Sequence, residues 1–272
     1  MMYPSVVVFL SLCDANISLY NKTIQFLRSY TYASFAERNK GMSEPGGRMS
    51  LKRKIYLDLK QKLIQCVYPP GSELKELLLT AEYGVSRTPI REAVSQLELE
   101  GYLKVLPKKG IYIPDVTIDK VLQIFQTRLE VEPVTLRMAV PYLNVEELIE
   151  FRRRFQEPEP DLLKAQQLDT EMHLYLIDRC GNYYLTEMMH RLFDDNTRVV
   201  IATGQTKTKI HNAAVEHTEI LDSLITHQDP EYSAQLLRKH IGTCRSEALK
   251  YFSSDQYRNY MKETKAKRGN DL

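Results

Sequence analysis

At 272 residues, with 43% hydrophobic and 26% charged residues, the chain is long enough for two ordinary domains and too apolar to be disordered throughout. No apolar run nears the roughly 20 residues that a bilayer requires, which excludes a helical membrane protein. Four widely spaced cysteines (Cys13, Cys66, Cys180, Cys244) form no C-x-x-C pair. They argue against a zinc knuckle or disulfide framework and fit a reducing, cytoplasmic setting.

Residues 1–48 show no sustained periodicity. Val6 to Leu12 imitates a signal-peptide core, but no Lys or Arg precedes Lys22 and no small-x-small site follows, so secretion is disfavoured. The stretch is an extension of uncertain status, disordered or translated from a start upstream of Met42 or Met49. It ends in the breaker cluster Gly41 to Gly47. Charge then divides the remainder. Residues 49–113 hold 11 basic and 7 acidic groups, and residues 114–272 hold 21 and 25. A basic module joined to an acidic body suits a polyanion-binding head.

In chain order, Ile55, Leu59, Leu63 and Ile64 predict an amphipathic helix over 51–66, stopped by Pro69-Pro70-Gly71. A short helix over 75–83 closes at Gly84. A third begins at Ser86, which can cap it, tolerates Pro89 in its first turn and ends at Gly101. The period then changes. Residues 102–106 and 111–113 read as strands about the turn Pro107-Lys108-Lys109-Gly110. Three helices and a hairpin with two lysines at its tip outline a winged helix-turn-helix over 49–114. From Val116 onward only helical patterns are found, over 118–140, 145–156, 162–180, 183–204, 209–226 and 230–252. The expected fold is mainly α: a winged helix-turn-helix, an all-helical bundle over 118–252, and a polar tail over 253–272.

In a helix-turn-helix the second helix of the motif enters the major groove, and its first residues reach base edges and phosphates. Those positions hold Ser86, Arg87, Thr88 and, one turn on, Arg91. The planar guanidinium fork matches guanine O6/N7 or two phosphate oxygens, and hydroxyls add phosphate contacts. Lys108, Lys109 and Gly110 would form the wing tip. An arbitrary exposed arginine pair is ordinarily a solvated helix surface, and here the order of elements reverses that expectation.

The same residues carry a resemblance. Pro70-Gly71, Leu74, Glu76, the run Gly84-Val85-Ser86-Arg87-Thr88-Pro89-Ile90-Arg91-Glu92-Ala93, Leu97, Glu100-Gly101 and Lys109-Gly110 resemble the DNA-binding domain of GntR-family regulators. The resemblance implies dimers on short palindromes of double-stranded DNA, with Arg87 and Arg91 as main readers. Two positions depart from it. Leu77 stands where the family often has a basic residue, so no DNA contact is assigned there, and Thr80 replaces a small alanine.

In the helical half, Asp169 and His173 lie four residues apart on one helix face, with His217 and His240 on two later helices. A carboxylate and three imidazoles from three helices could converge on a divalent transition metal. Zinc is the first expectation, with nickel, iron or manganese as alternatives. Singly, each histidine is more often a surface or hydrogen-bonded residue, and His190, His211 and His227 are read that way.

Arg128 with Glu130, Asp169-Thr170-Glu171-Met172-His173, Gly181-Asn182, Glu216-His217, Ile220-Leu221 and His240 resemble the ligand-binding FCD domain of the FadR subfamily. Met172 replaces the usual phenylalanine. The resemblance implies a metal on Asp169, His173, His217 and His240, and a small carboxylate effector bound there with Arg128 nearby. The plainer role for Arg128 is an ion pair with Glu130 or Glu132. Two other readings compete: a DNA-binding architectural protein with a vestigial sensor, and a metal-dependent enzyme. Against the enzyme stand the absence of a nucleophile with an evident base, of a Gly-rich phosphate loop and of HExxH.

Overall fold

The computed structural model describes residues 50–262, apart from 108–109, 158, 160, 205–206, 227–228 and 261. The extension, the Lys108-Lys109 wing tip, His227 and the end of the chain lie outside the described residues, as does the side chain of His211.

Helix α1 (Leu51–Ile64) starts at Ser50, whose hydroxyl accepts from the Arg53 amide, and buries Ile55, Tyr56, Leu59, Leu63 and Ile64. Helix α2 (Glu76–Tyr83) stops at Gly84, which takes the left-handed conformation (φ 62°) that a side chain resists. Helix α3 (Arg87–Leu99) turns Ile90, Ala93, Val94 and Leu97 inward. Strands β2 (Lys104–Leu106) and β3 (Gly110–Tyr112) form the expected hairpin. A strand that periodicity could not reveal, β1 (Glu73–Leu74), pairs antiparallel with β3 and makes it the centre of a three-stranded sheet. Two residues are too short to show a period of two. Gly110 is required there, since φ is 114° and a Cβ would lie 3.3 Å from the Leu74 carbonyl oxygen. The head closes over Leu59, Leu79, Ile90, Leu97, Tyr102, Leu103 and Ile113.

The helical half contains α4 (Ile118–Ala139), a 3-10 turn (Val140–Tyr142), α5 (Val145–Gln156), α6 (Leu162–Asp178), α7 (Tyr183–Ala202), α8 (Lys207–Thr226) and α9 (Pro230–Phe252). Their starts follow from local chemistry. The side chains of Thr117, Asn144, Asp161, Asn182 and Asp229 accept bonds from first-turn amides of α4, α5, α6, α7 and α9. Helix α4 packs along α9, and α5 along α8. Val121, Phe125, Leu136, Met172, Val199, Leu221, Leu237 and Ile241 share one core.

The tail is more ordered at its start than a polar composition suggests. Residues 255–260 are helical, and the Tyr260 hydroxyl donates to the Pro70 carbonyl and contacts Asp115.

Candidate functional site

The first candidate surface is the start of α3. Ser86 takes the N-cap position in extended conformation (φ −69°, ψ 170°), but its hydroxyl makes no capping bond, contrary to expectation. Amides of a first helical turn have no partner within the helix and suit a phosphate oxygen. Thr88 is exposed beside it. The side chains of Arg87 and Arg91 are 68% and 65% exposed, and both lean on one carboxylate. Arg91 Nε donates to Glu76 at 2.9 Å, and Arg87 Nε lies 3.8 Å away from it. Glu76, in the first turn of α2, therefore ties both guanidinium groups to the neighbouring helix. Sequence reasoning registered Glu76 only as part of a motif. Leu77, where the family pattern departs, is 66% exposed beside it.

The second candidate lies inside the bundle. Helix α6 brings Asp169 and His173, α8 brings His217, and α9 brings His240; one ligand atom from each falls within 4.8 Å of the others. All three imidazoles are about 1% exposed. His217 Nε2 is 3.0 Å from His240 Nε2 and 3.4 Å from Asp169 Oδ1.

Two carboxylates that the sequence did not point to as ring partners orient these imidazoles. His173 Nδ1 meets Glu132 Oε2 at 2.6 Å, and His240 Nδ1 meets Glu216 Oε2 at 2.7 Å. Each bond engages Nδ1 and turns the Nε2 edge of the ring inward, the orientation that carboxylate-held metal ligands adopt. His217 Nδ1 is buried and has no hydrogen-bond partner among the described residues.

The electrostatics set His217 and His240 apart. Burial lowers the His217 pKa well below its ordinary value, helped by His240, His173 and Arg128, so this imidazole is neutral. For His240 burial also acts downward, but Cys244, Glu216 and Asp169 outweigh it and raise the pKa. A protonated His240 can donate from Nε2 to neutral His217. A metal ion would have to displace that proton. Buried nitrogens gathered without a counter-proton for each, beside a half-buried carboxylate, match the donor chemistry of zinc, nickel, iron or manganese.

Arg128 is 2% exposed and points at this set. Its Nη2 is 3.4 Å from His173 Nε2, Nη1 donates to Asn196 Oδ1 at 3.1 Å, and Nε donates to Glu132 at 2.5 Å. The expected ion pair with Glu132 is thus present, while Glu130 pairs with Arg238. Burial would raise the Glu132 pKa, yet Arg128 and His173 outweigh it and hold the carboxyl down at about 2. Asn196 is fully buried, and its Nδ2 has no partner among the described residues. Nothing in the spacing of α7 signals that role. Of the histidines read as ordinary, His190 bonds Asp178 at 2.7 Å, away from the cluster.

Comparison with known proteins assigns both halves. The profile for bacterial regulatory proteins of the gntR family matches residues 51–113, and that of the FCD domain matches residues 123–243. A transcriptional regulator in an unstable DNA locus of Streptomyces ambofaciens is 30% identical over 205 residues, covering 74% of this chain and 85% of that protein. The chain belongs to the GntR family.

Other relatives of this GntR regulator are also transcription factors. The repressor GlaR of Escherichia coli K12 is 26% identical, over 69% of this chain and 91% of its own length. YdhC of Bacillus subtilis is 27% identical over 52% of this chain and 65% of its own. The fold matches E. coli McbR/YncC (TM-score 0.63, 21% identity, 75% of this chain and all of that one). It also matches a GntR regulator of Rhodococcus sp. RHA1 (TM-score 0.64, 18% identity, 74% and 98%). The protein is a DNA-binding regulator of transcription with an FCD effector-binding domain. No helix among the described residues is long and apolar enough to cross a membrane.

Proposed function

We propose that this GntR regulator binds a palindromic operator as a homodimer, under control of a small organic acid bound at a divalent transition metal. The convergence of Asp169, His173, His217 and His240 beside the buried guanidinium of Arg128 carries the reading. Those four residues would hold the ion, zinc first among the candidates. The ion supplies positive charge and open coordination positions for a carboxylate. Arg128 would take a second carboxylate oxygen, and the unpartnered Nδ2 of Asn196 would serve a further acceptor on the effector. Glu132 and Glu216 keep the rings turned inward. In the head, Arg87 and Arg91 would read bases, Ser86 and Thr88 would hold phosphates, and Lys108, Lys109 and Gly110 would form the wing.

A ligand can shift the operator-binding equilibrium only through different affinity for the two states of the dimer. The test is metal analysis of protein purified without chelator, followed by operator selection from random duplexes with and without small carboxylates. His217→Ala should lower metal occupancy and abolish the carboxylate response while preserving helical content. Full occupancy in that variant would remove His217 from the set. Metal-free wild type that ignores every carboxylate would leave a DNA-binding protein with a vestigial sensor.

A further inference from the structure

The chain passes from head to bundle through residues 113–117, and side chains from three directions hold the middle of that linker. Arg198 of α7 donates to the Pro114 carbonyl at 3.2 Å. The Asp115 carboxylate accepts from the Tyr112 hydroxyl of β3 at 2.5 Å through Oδ2, while its Oδ1 meets the Tyr260 hydroxyl. That hydroxyl also lies 3.3 Å from the Pro70 carbonyl oxygen, in the loop ahead of β1. Tyr260 belongs to the helical stretch over 255–260, which begins where the Ser254 hydroxyl accepts from the Tyr257 amide at 3.2 Å. The rings of Tyr251, Phe252 and Tyr257 pack with centroids 5.0 to 5.5 Å apart and fasten this stretch to the end of α9; Tyr257 then stacks on Tyr260 at 6.4 Å. Gly71 makes room for the closure. Its φ is 79°, and a Cβ there would collide with both the Asp115 carboxylate and the Tyr260 hydroxyl.

We propose that the segment after α9 is a strap that closes on the linker through Tyr260 and Asp115, fixes the head on the bundle, and so narrows the half-site spacings that a dimer accepts. A polar chain end is ordinarily frayed unless something ties it down. Here the tie is made to the one stretch about which the head could turn, and to the loop and strand of the head on either side of Gly71. Adding a base pair between half-sites moves one of them by about 3.4 Å and roughly 35° around the duplex. A head held at its linker follows that displacement only by losing contacts or deforming DNA. A released head follows it by moving. The strap sharpens the preference by no more than the free energy of its closure, and one charge-assisted hydrogen bond corresponds to about tenfold or more. The spacing consequence rests on the operator reading above; the closure of the strap does not.

Two measurements on the full-length protein test this, each with Tyr260→Phe, which removes only the hydroxyl, and Tyr260→Ala, which also removes the ring. Amide hydrogen exchange without DNA reads the strap. The Arg258 amide, bonded to the Ser254 carbonyl at 3.2 Å, should exchange about tenfold faster in Tyr260→Phe and at least as fast again in Tyr260→Ala, with α4 and α7 unchanged. Binding to the selected palindrome, and to versions with one central base pair added or removed, reads head orientation. Wild type should favour the selected spacing about tenfold more sharply than either variant does. Unchanged exchange in both variants overturns the strap. Faster exchange with the wild-type spacing preference intact overturns its control of the head. Wild type that selects no palindrome removes the operator reading and the spacing consequence with it, while the exchange result still upholds or overturns the strap.

Discussion

At the start of α3, the surface proposed to meet DNA, Glu76 restrains the guanidinium groups of Arg87 and Arg91, which would otherwise sample many rotamers in water. Each contact is largely exposed and contributes little stability; its consequence is orientation. Arg87→Ala and Arg91→Ala should each cost about 1 to 3 kcal/mol of operator affinity if bidentate base contacts are lost, with relaxed base preference. Equilibrium binding at fixed salt measures this, and unchanged affinity would displace α3 as the reader. A second effect at this scale concerns Cys66. Burial raises its thiol to about 11, with Arg198 opposing weakly. The reactive thiolate is therefore scarce at neutral pH and grows only as pH approaches that value. Peptide-resolved alkylation should find Cys66 slow at pH 8 and faster with each unit above. Labelling at the rate of a free thiol at pH 8 would contradict the packing described for it.

Among the elements, α4 and α7 join the histidine cluster to the rest of the bundle. Helix α4 offers Arg128 and Glu132 one turn apart, both 2% exposed, and α7 supplies Asn196 against them. A buried pair of this kind adds little over an apolar pair, but breaking it leaves a charge with no counter-ion in a dry interior. Glu132→Gln should destabilise the protein by about 3 kcal/mol or more on that ground. It should also free the His173 ring, lowering metal affinity about tenfold or more. Thermal unfolding and zinc titration check the two effects separately. A variant with an unchanged midpoint would mean that Asn196 and solvent compensate Arg128 fully.

Across the whole molecule, three consecutive residues of α7 divide between two partners, helix α4 and the head. Asn196 holds Arg128 of α4 beside the histidine cluster, Asp195 pairs with Lys120 of α4 at 2.7 Å, and Asp194 reaches into the head. There Asp194 accepts from the Tyr102 hydroxyl and pairs with Lys60 at 3.2 Å. Arg191 covers the Tyr102 ring at 3.7 Å and donates to the Glu100 carbonyl. The head thus rests on the bundle through a buried tyrosine and paired charges, with Arg198 bonding the Pro114 carbonyl below the wing. Tyr102→Phe removes one charge-assisted bond and should cost about 1 to 2 kcal/mol. Calorimetry should show head and bundle unfolding at more separate temperatures. A superimposable single transition would mean that this contact does not link them.

Local order was legible because it has local causes. Helical periodicity, the stop at Gly84 and the run from Gly84 to Ala93 act over a few residues. The caps at Thr117, Asn144, Asp161, Asn182 and Asp229, by contrast, were read from the structure, and the cap expected at Ser86 makes no side-chain bond. Sequence alone therefore located the helices, the head and the four His/Asp candidates. It did not expose β1, whose two residues owe their strand to β3 across the sheet. Nor did it assign Glu132 and Glu216 to His173 and His240, or Asn196 to Arg128. Those bonds close between side chains 24 to 68 positions apart, or on opposite helices. Spacing along one helix predicts which residues share a face. Only the packing of α4, α6, α7, α8 and α9 decides which faces meet, because burial, and not sequence separation, determines which polar groups must find partners.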